Sequence, residues 1–328
     1  MRFRTEVKVK TEGMSINHTH SLLLMGSCFV EHIGTRLKES KFDVQVNPYG
    51  VLYNPMSIAF SLKEILEGKQ YQFKNLFNYQ GLWHSSMHHS VFSNESKSKV
   101  LEDINKKIKV AHDFLKQMDV LIITFGSAWV YHSKNENLIV GNCHKLPESS
   151  FCRRRVEVNE IIDLWNVLIE SLIKLRPSLK LIFTVSPIRH IRDGLHENQL
   201  SKSTLLLAID ELQKQWGKSI YYFPAYEILL DELRDYRFFA DDMCHPSSIA
   251  IDYIWEKFIK FAVSSDSQQL MAECQKINKS LNHRPFDYQS KEHQLFLRNL
   301  LLKIEELSKR YPNLAFNKEI ELCHTQLI

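Results

Sequence analysis

A thiol near the start of this 328-residue chain and an imidazole late in it are the side chains best suited to bond-making chemistry. The thiol is Cys28, in LLLMGSCFVEHIG over residues 22–34, where an apolar run ends in Gly26-Ser27-Cys28 and helical spacing takes over. A cysteine in the first turn of a helix faces unpaired backbone N–H groups and the positive end of the macrodipole. Those favour a thiolate and a lowered thiol pKa, and the same N–H groups can donate to an oxyanion. Gly26 permits the tight strand-to-helix turn. The competing reading is an inert, buried cysteine, the commoner fate of a lone one. The imidazole is His245, in Asp241-Asp242-Met243-Cys244-His245-Pro246-Ser247. An Asp three residues before a His can turn its carboxylate onto Nδ1, fix the tautomer and leave Nε2 facing a nucleophile. Alternatively, Asp242 caps a turn beside a surface histidine. Ser247 suits the N-cap of the helix that follows.

Such residues must be brought together by the elements that carry them. HSLLLMG, DVLIITFG and LKLIFTVSP read as buried strands, and FDVQVN and SIYYFP as shorter ones. Helical spacing is predicted over 29–39, 57–67 (capped by Ser57), 98–117, 157–175, 201–216, 225–234 and 249–263. Short apolar runs alternating with amphipathic helices predict an α/β fold with a mostly parallel sheet covered on both faces, a three-layer α/β/α architecture. After residue 265 the strand signals stop, and 266–282 and 289–311 read as charged helices. The expected organisation is therefore a domain over 1–265 and a helical extension over 266–328, which packs on the core or serves an oligomer interface.

In such a sheet, sites lie beyond the carboxyl ends of the strands. The segments expected on that rim are Gly26-Ser27-Cys28, Asn47 to Gly50, Tyr53-Asn54-Pro55, Gly126-Ser127, Ser186 to His190 and the Asp242–His245 loop. Arg189, His190 and Arg192 suit an anionic substrate, or else an ion-pair network with Asp193. His84, His88 and His89 invite a metal, but no carboxylate partner on a firm helix supports one. The preferred reading is a loop over the pocket, with His89 or Ser90 touching substrate. Cys244 lies next to His245 and either packs or approaches Cys28 closely enough for oxidation to block the site.

Composition limits the function classes. A hydrophobic share of 44%, a charged share of 24% and a net charge of only +4 describe a globular protein with no basic stripe for nucleic acid. Arg153-Arg154-Arg155 is the one local exception and reads as a solvated loop. Six irregularly spaced cysteines without a CxxC pair suggest neither a disulfide framework nor zinc. The opening MRFRTEVKVKTEG lacks an apolar leader core, and no run reaches membrane-spanning length. The expectation is a cytoplasmic, reduced protein with no membrane partner.

The chain resembles GSCFA-domain proteins, whose namesake motif stands here as Gly26-Ser27-Cys28-Phe29-Val30, with Val in the last position. NPYGVLYNP, TFGSAWVY, GNCHKLP, SPIRHIRDG, ENQLSKS and YFPAYEILLDELRDYRFFADDMCHP extend the resemblance from about residue 20 to about residue 260. That family is similar in turn to the SGNH, or GDSL-like, hydrolases. The resemblance implies their flavodoxin-like sheet topology. It places Gly26, Ser27 and Cys28 on the Gly-Asp-Ser nucleophile motif, and Asp242 and His245 on the acid and base. Gly50 corresponds loosely to the glycine whose N–H joins the oxyanion hole. The Gly-x-Asn block is broken, because Gly126-Ser127-Ala128 has Ala where the Asn donor belongs. Asn54, Asn142 or a histidine can substitute, and the residues leave that choice open. Ser27 is the alternative nucleophile, disfavoured by its offset from Gly26.

The function so implied is an acyl-ester hydrolase or O-acyltransferase with a Cys-His-Asp arrangement, acting on a small-molecule or, preferably, a carbohydrate ester. It needs no metal or cofactor, apart from an acyl donor such as acetyl-CoA if it is a transferase. The alternative is a catalytically silent protein that binds a glycan or acyl ligand.

Overall fold

The computed structural model describes residues 4–9 and 13–327, so parts of the opening segment read above, 1–3 and 10–12, lie outside the described residues. The chain begins β1 (Ser21–Gly26), α1 (Cys28–Glu39), β2 (Asp43–Val46), α2 (Pro55–Leu66), β3 (Phe77–Tyr79), β4 (Leu82–His84) and α3 (Lys97–Leu115). It continues β5 (Val120–Phe125), β6 (Trp129–Ser133), β7 (Leu138–Val140), β8 (Phe151–Arg155), α4 (Val158–Leu175), β9 (Lys180–Val185) and α5 (Leu195–Trp216). It ends with β10 (Ile220–Phe223), α6 (Ala225–Glu227), α7 (Ser248–Ala262), α8 (Ser265–Asn282), α9 (Lys291–Arg310) and α10 (Asn317–Gln326).

Five strands form one parallel sheet in the order β10-β9-β5-β1-β2. Counted along the chain this is the doubly wound order 2-1-3-4-5, the flavodoxin type. The near-continuous apolar strands are buried on both sides, as a sheet covered by helices requires. Leu23 and Met25 of β1 join α2, α3, α4 and α5 in one core, while Leu22 and Leu24 point the other way to α1 and α7. The fold is thus the expected three-layer α/β/α, and each fully buried Leu or Ile in it contributes roughly 1.5–3 kcal/mol.

Several local readings change. α2 starts at Pro55, because Asn54 and not Ser57 is the cap: its side-chain oxygen accepts from Ser57 N at 2.8 Å. Proline suits the first helical position, having no N–H to satisfy and a preset φ. Residues 225–234 hold only the short α6 and a π turn, Ile228–Glu232. The antiparallel sheet β7-β6-β8 has no counterpart in the sequence reading, since its strands are only three to five residues long. Nor does α10. The arginine run lies on β8, not in a loop, and each member has a partner: Arg153–Asp193, Arg154–Glu160 and Arg155–Glu197.

The C-terminal helices share an apolar cluster of their own, centred on Leu270, Cys274, Ile277, Leu297, Ile304 and Phe316. They touch the sheet region through Lys41–Glu319 and through Asn278, which donates to Glu39 O. No helix among the described residues is long and apolar enough to cross a membrane.

Candidate active site

The strand ends are level. Gly26 of β1 pairs with Thr124 of β5, and Thr124 with Thr184 of β9, so the segments after these strands emerge on one rim. Gly26 has φ +137, and a Cβ there would lie 2.2 Å from Thr124 O, so only glycine allows this exit. Its N–H donates to Asn47 Oδ1 at 2.9 Å, which ties the β2 exit to the β1 exit. Ser27 then takes the N-cap position of α1 without a side-chain cap bond, and Cys28 is the first residue of the helix.

Cys28 is half-buried and open to solvent, whereas Ser27 is only 1% exposed, with a hydroxyl that has no hydrogen-bond partner among the described residues. The thiol does not have the lowered pKa expected of a helix N-terminus. Burial and the Glu31 carboxylate one turn along push it up, and together they outweigh the Cys28 and Phe29 N–H groups and the Lys202 ammonium, which pull it down. Tyr53 lies within electrostatic range of the thiol, and its hydroxyl is pushed up by burial and then by Cys28 and Glu31.

The second half of the site is local. Asp242 Oδ2 accepts from His245 Nδ1 at 2.5 Å, and Oδ1 accepts from the N–H groups of Cys244 and His245, both at 2.9 Å. Those N–H groups, more than the ring, hold the Asp242 carboxyl down at about 2. About half of each side chain is exposed. Met243 takes a left-handed φ of 56 to close this turn, and Ser247 caps α7 as expected, accepting from Ala250 N.

Arg189 holds the loop in place. Its N–H donates to Cys244 O at 3.1 Å, its guanidinium donates to Met243 O, and the guanidinium lies 4.2 Å over the Phe239 ring. It is therefore committed to the protein rather than to an anionic substrate. His190 is not a cation at neutral pH either. Burial, and then Lys202, bring it down to about 4, and its backbone N–H donates to Asn198 Oδ1. Asp193 pairs with Arg153, while Arg192 bonds Tyr131 and Glu148.

The imidazole of His245 lies within electrostatic range of His32, one turn along α1 from Cys28, and of His190. No hydrogen bond joins Cys28 to His245 among the described residues, so the two groups share a rim without direct contact.

The oxyanion donors differ from expectation. Gly50 N–H donates to Asn47 O at 2.8 Å, and Gly50, at φ +75, packs on His89 so closely that a Cβ would lie 2.3 Å from His89 Cβ. The N–H groups of Gly126 and Ser127 both donate to Tyr53 O, at 2.7 and 2.9 Å. Ser127 Oγ turns inward to Ser201 and the Trp129 N–H. Asn54 is occupied as the cap of α2. His89 caps a short turn, accepting from Val91 N. His84 and His88, expected in a loop over the pocket, are buried instead. His84 bonds Ser93, and His88 bonds Ser85 and stacks on Tyr49 at 4.1 Å. Among the described residues no group of three or more metal-ligating side chains could hold a metal ion.

Sequence reasoning missed Lys202. It exposes no surface, and its Nζ donates to Gly126 O at 2.7 Å and Ser186 O at 2.9 Å, beneath the rim. Burial brings it down to about 7, and the Cys28 thiolate opposes that shift. A signal was available: Lys202 falls on the buried stripe of α5 with Asn198, Leu205, Ile209 and Leu212, where a charge is out of place.

A family model described as "GSCFA family" matches residues 21–258, and one described as "GSCFA domain protein, C-terminal domain" matches residues 274–328. No curated protein matches the chain. Among solved structures, a Clostridium thermocellum family 3 carbohydrate esterase is 11% identical at a TM-score of 0.32, over 77% of this chain and 98% of its own. A family 3 carbohydrate esterase from Talaromyces cellulolyticus is 9% identical at a TM-score of 0.33, over 77% and 99%.

Proposed function

The chain belongs to the GSCFA family, and on that footing we propose that it is an SGNH-like acyl-ester hydrolase or O-acyltransferase, with a carbohydrate ester as substrate. The observation that carries this reading is the Asp242–His245 pair, at 2.5 Å, presented on the strand-end rim that also holds the half-buried Cys28 at the head of α1.

In this mechanism the Cys28 sulfur attacks the acyl carbonyl while His245 Nε2 takes the thiol proton. The ester C–O bond breaks, and the alcohol leaves with the proton from His245. Water or an acceptor hydroxyl then gives its proton to His245 and attacks the thioester, which returns the thiol. Asp242 keeps Nδ1–H pointed at itself, so that Nε2 is the basic nitrogen. With the N–H groups of Gly50, Gly126 and Ser127 committed elsewhere, the oxyanion falls to those of Cys28 and Phe29 in the first turn of α1. Cys28 is preferred to Ser27 because the serine hydroxyl is shut away from solvent. Substrate binding must close the gap between thiol and imidazole, as catalytic hydrogen bonds often tighten only in the complex.

The second reading, a silent glycan- or acyl-binding protein, is favoured by the raised Cys28 thiol and the absent Gly-x-Asn donor. Incubation with p-nitrophenyl acetate or acetyl-CoA, followed by intact-mass measurement, separates the two. An added acetyl group that Cys28→Ala and His245→Ala abolish supports the enzyme. Label that persists in Cys28→Ala removes the thiol from the mechanism, and no label or turnover with any donor leaves the binding protein. Faster acyl release on adding sugar acceptors marks a transferase.

A further inference from the structure

We propose that Lys202 is a positioning residue for Cys28: its ammonium, fixed beneath the Gly126 turn, favours the thiolate and makes the reactivity of the thiol depend on the lysine's own proton. This builds on the reading of Cys28 as the reactive group, but it concerns the ionisation of the thiol and not turnover.

The geometry is specific. Lys202 is fully buried, and two of its three N–H bonds are spent on the carbonyls of Gly126 and Ser186, at the exits of β5 and β9. Gly126 packs on the residue before the thiol: a Cβ on it would lie 3.5 Å from Ser27 Cβ. Among the described residues no carboxylate lies within ion-pair distance of the ammonium, and the Tyr226 ring lies 5.3 Å from it. A buried, unpaired charge is costly. An uncharged donor such as Gln can hold two carbonyls, so the ammonium matters for its charge, and the titratable group coupled to that charge is Cys28, whose thiol is otherwise pushed up and whose small thiolate fraction the ammonium enlarges. The other groups coupled to this pair are Glu31 on α1, which opposes the thiolate, Tyr53, whose hydroxyl Cys28 pushes up, and His190, within electrostatic range of Lys202 and held neutral near and above pH 7.

The consequence is a distinctive pH signature. Lys202 is held at about 7, so its help is present below that pH and vanishes as the amine is deprotonated above it. The test follows iodoacetamide alkylation of Cys28 by peptide mass spectrometry in wild type and Lys202→Gln. With a coupling of about one pH unit, wild type should alkylate about fivefold faster than the variant at about pH 6.5, and the two should converge above about pH 9. A ratio that is constant with pH, whatever the change in Tm, is what a purely structural lysine gives and overturns the proposal, as does a ratio of one throughout. If the glutamine variant does not fold, the His245→Ala protein, which keeps Lys202, carries the test. Its log rate should fall below unit slope near pH 7, where Lys202 loses its proton, while His190 is brought down to about 4 and His32 is lowered by burial and Arg36. An unbroken unit slope there overturns the proposal. Neither measurement needs an acyl substrate, so a failed esterase assay would leave both interpretable.

Discussion

A lysine that exposes no surface and has no carboxylate partner among the described residues should make the stability of this protein rise with pH. The folded-state pKa of Lys202 is about 7, depressed by burial from an ordinary 10.5. Between those values the unfolded chain binds a proton that the folded chain does not, so raising the pH favours the folded state. The gain accumulates from about pH 7 to about pH 10 and is absent below the folded value, where both states are charged. From about pH 7.5 to about pH 9.5 the difference averages about 0.9 proton, which at 1.36 kcal/mol per pH unit is about 2.5 kcal/mol. Lys202→Gln has no such proton to lose. Urea unfolding of both proteins at the two pH values isolates the effect, because the tyrosines and the thiols other than Cys28 that titrate in the same range cancel in the difference, and Cys28 contributes little because its coupled lysine is already neutral where the thiol titrates. The wild-type minus variant free energy should grow by roughly 2 kcal/mol over that interval at an unchanged m-value. A difference that is flat with pH would mean that Lys202 titrates as an ordinary lysine, and the account of its burial would be wrong.

Asp242→Asn should slow acylation of Cys28 by a factor on the order of 10²–10⁴ by releasing the imidazole tautomer, read from stopped-flow p-nitrophenol release; an unchanged rate removes the pair from the mechanism. Because Asp242 stays ionised down to about pH 2, any acid limb near neutrality belongs to another group, and an Asp242 carboxyl that titrates by NMR in the ordinary carboxylate range would contradict this. Gly26→Ala should destabilise the fold by more than about 2 kcal/mol, since φ is +137 and the new methyl meets Thr124 O; a Tm within a degree or so of wild type would refute that. Arg189→Met should raise hydrogen exchange across 241–246 and lower acylation while leaving exchange in the sheet unchanged; unaltered exchange in that loop would show that Arg189 does not hold it.

What the sequence determined by itself is local or periodic. Apolar runs of strand length alternating with amphipathic helices dictate a covered parallel sheet, because each face must find an apolar partner. The Asp242–His245 pair was legible for the same reason: three residues apart, followed by Pro246 and the cap Ser247, its geometry is set within one turn of chain. Gly26 too announced its turn. The tertiary structure alone decided what depends on burial and on distant neighbours. It pushed the Cys28 thiol up where the helix N-terminus predicted down, because desolvation and Glu31 outweigh two N–H groups. It spent the N–H groups of Gly50, Gly126 and Ser127 on backbone carbonyls, and it turned Arg189 from a candidate anion binder into the clasp of the Asp242–His245 loop. It also carried a lysine from the middle of α5 to the floor of the site. Burial and through-space charge are sums over residues far apart in the chain, and no window of sequence contains them.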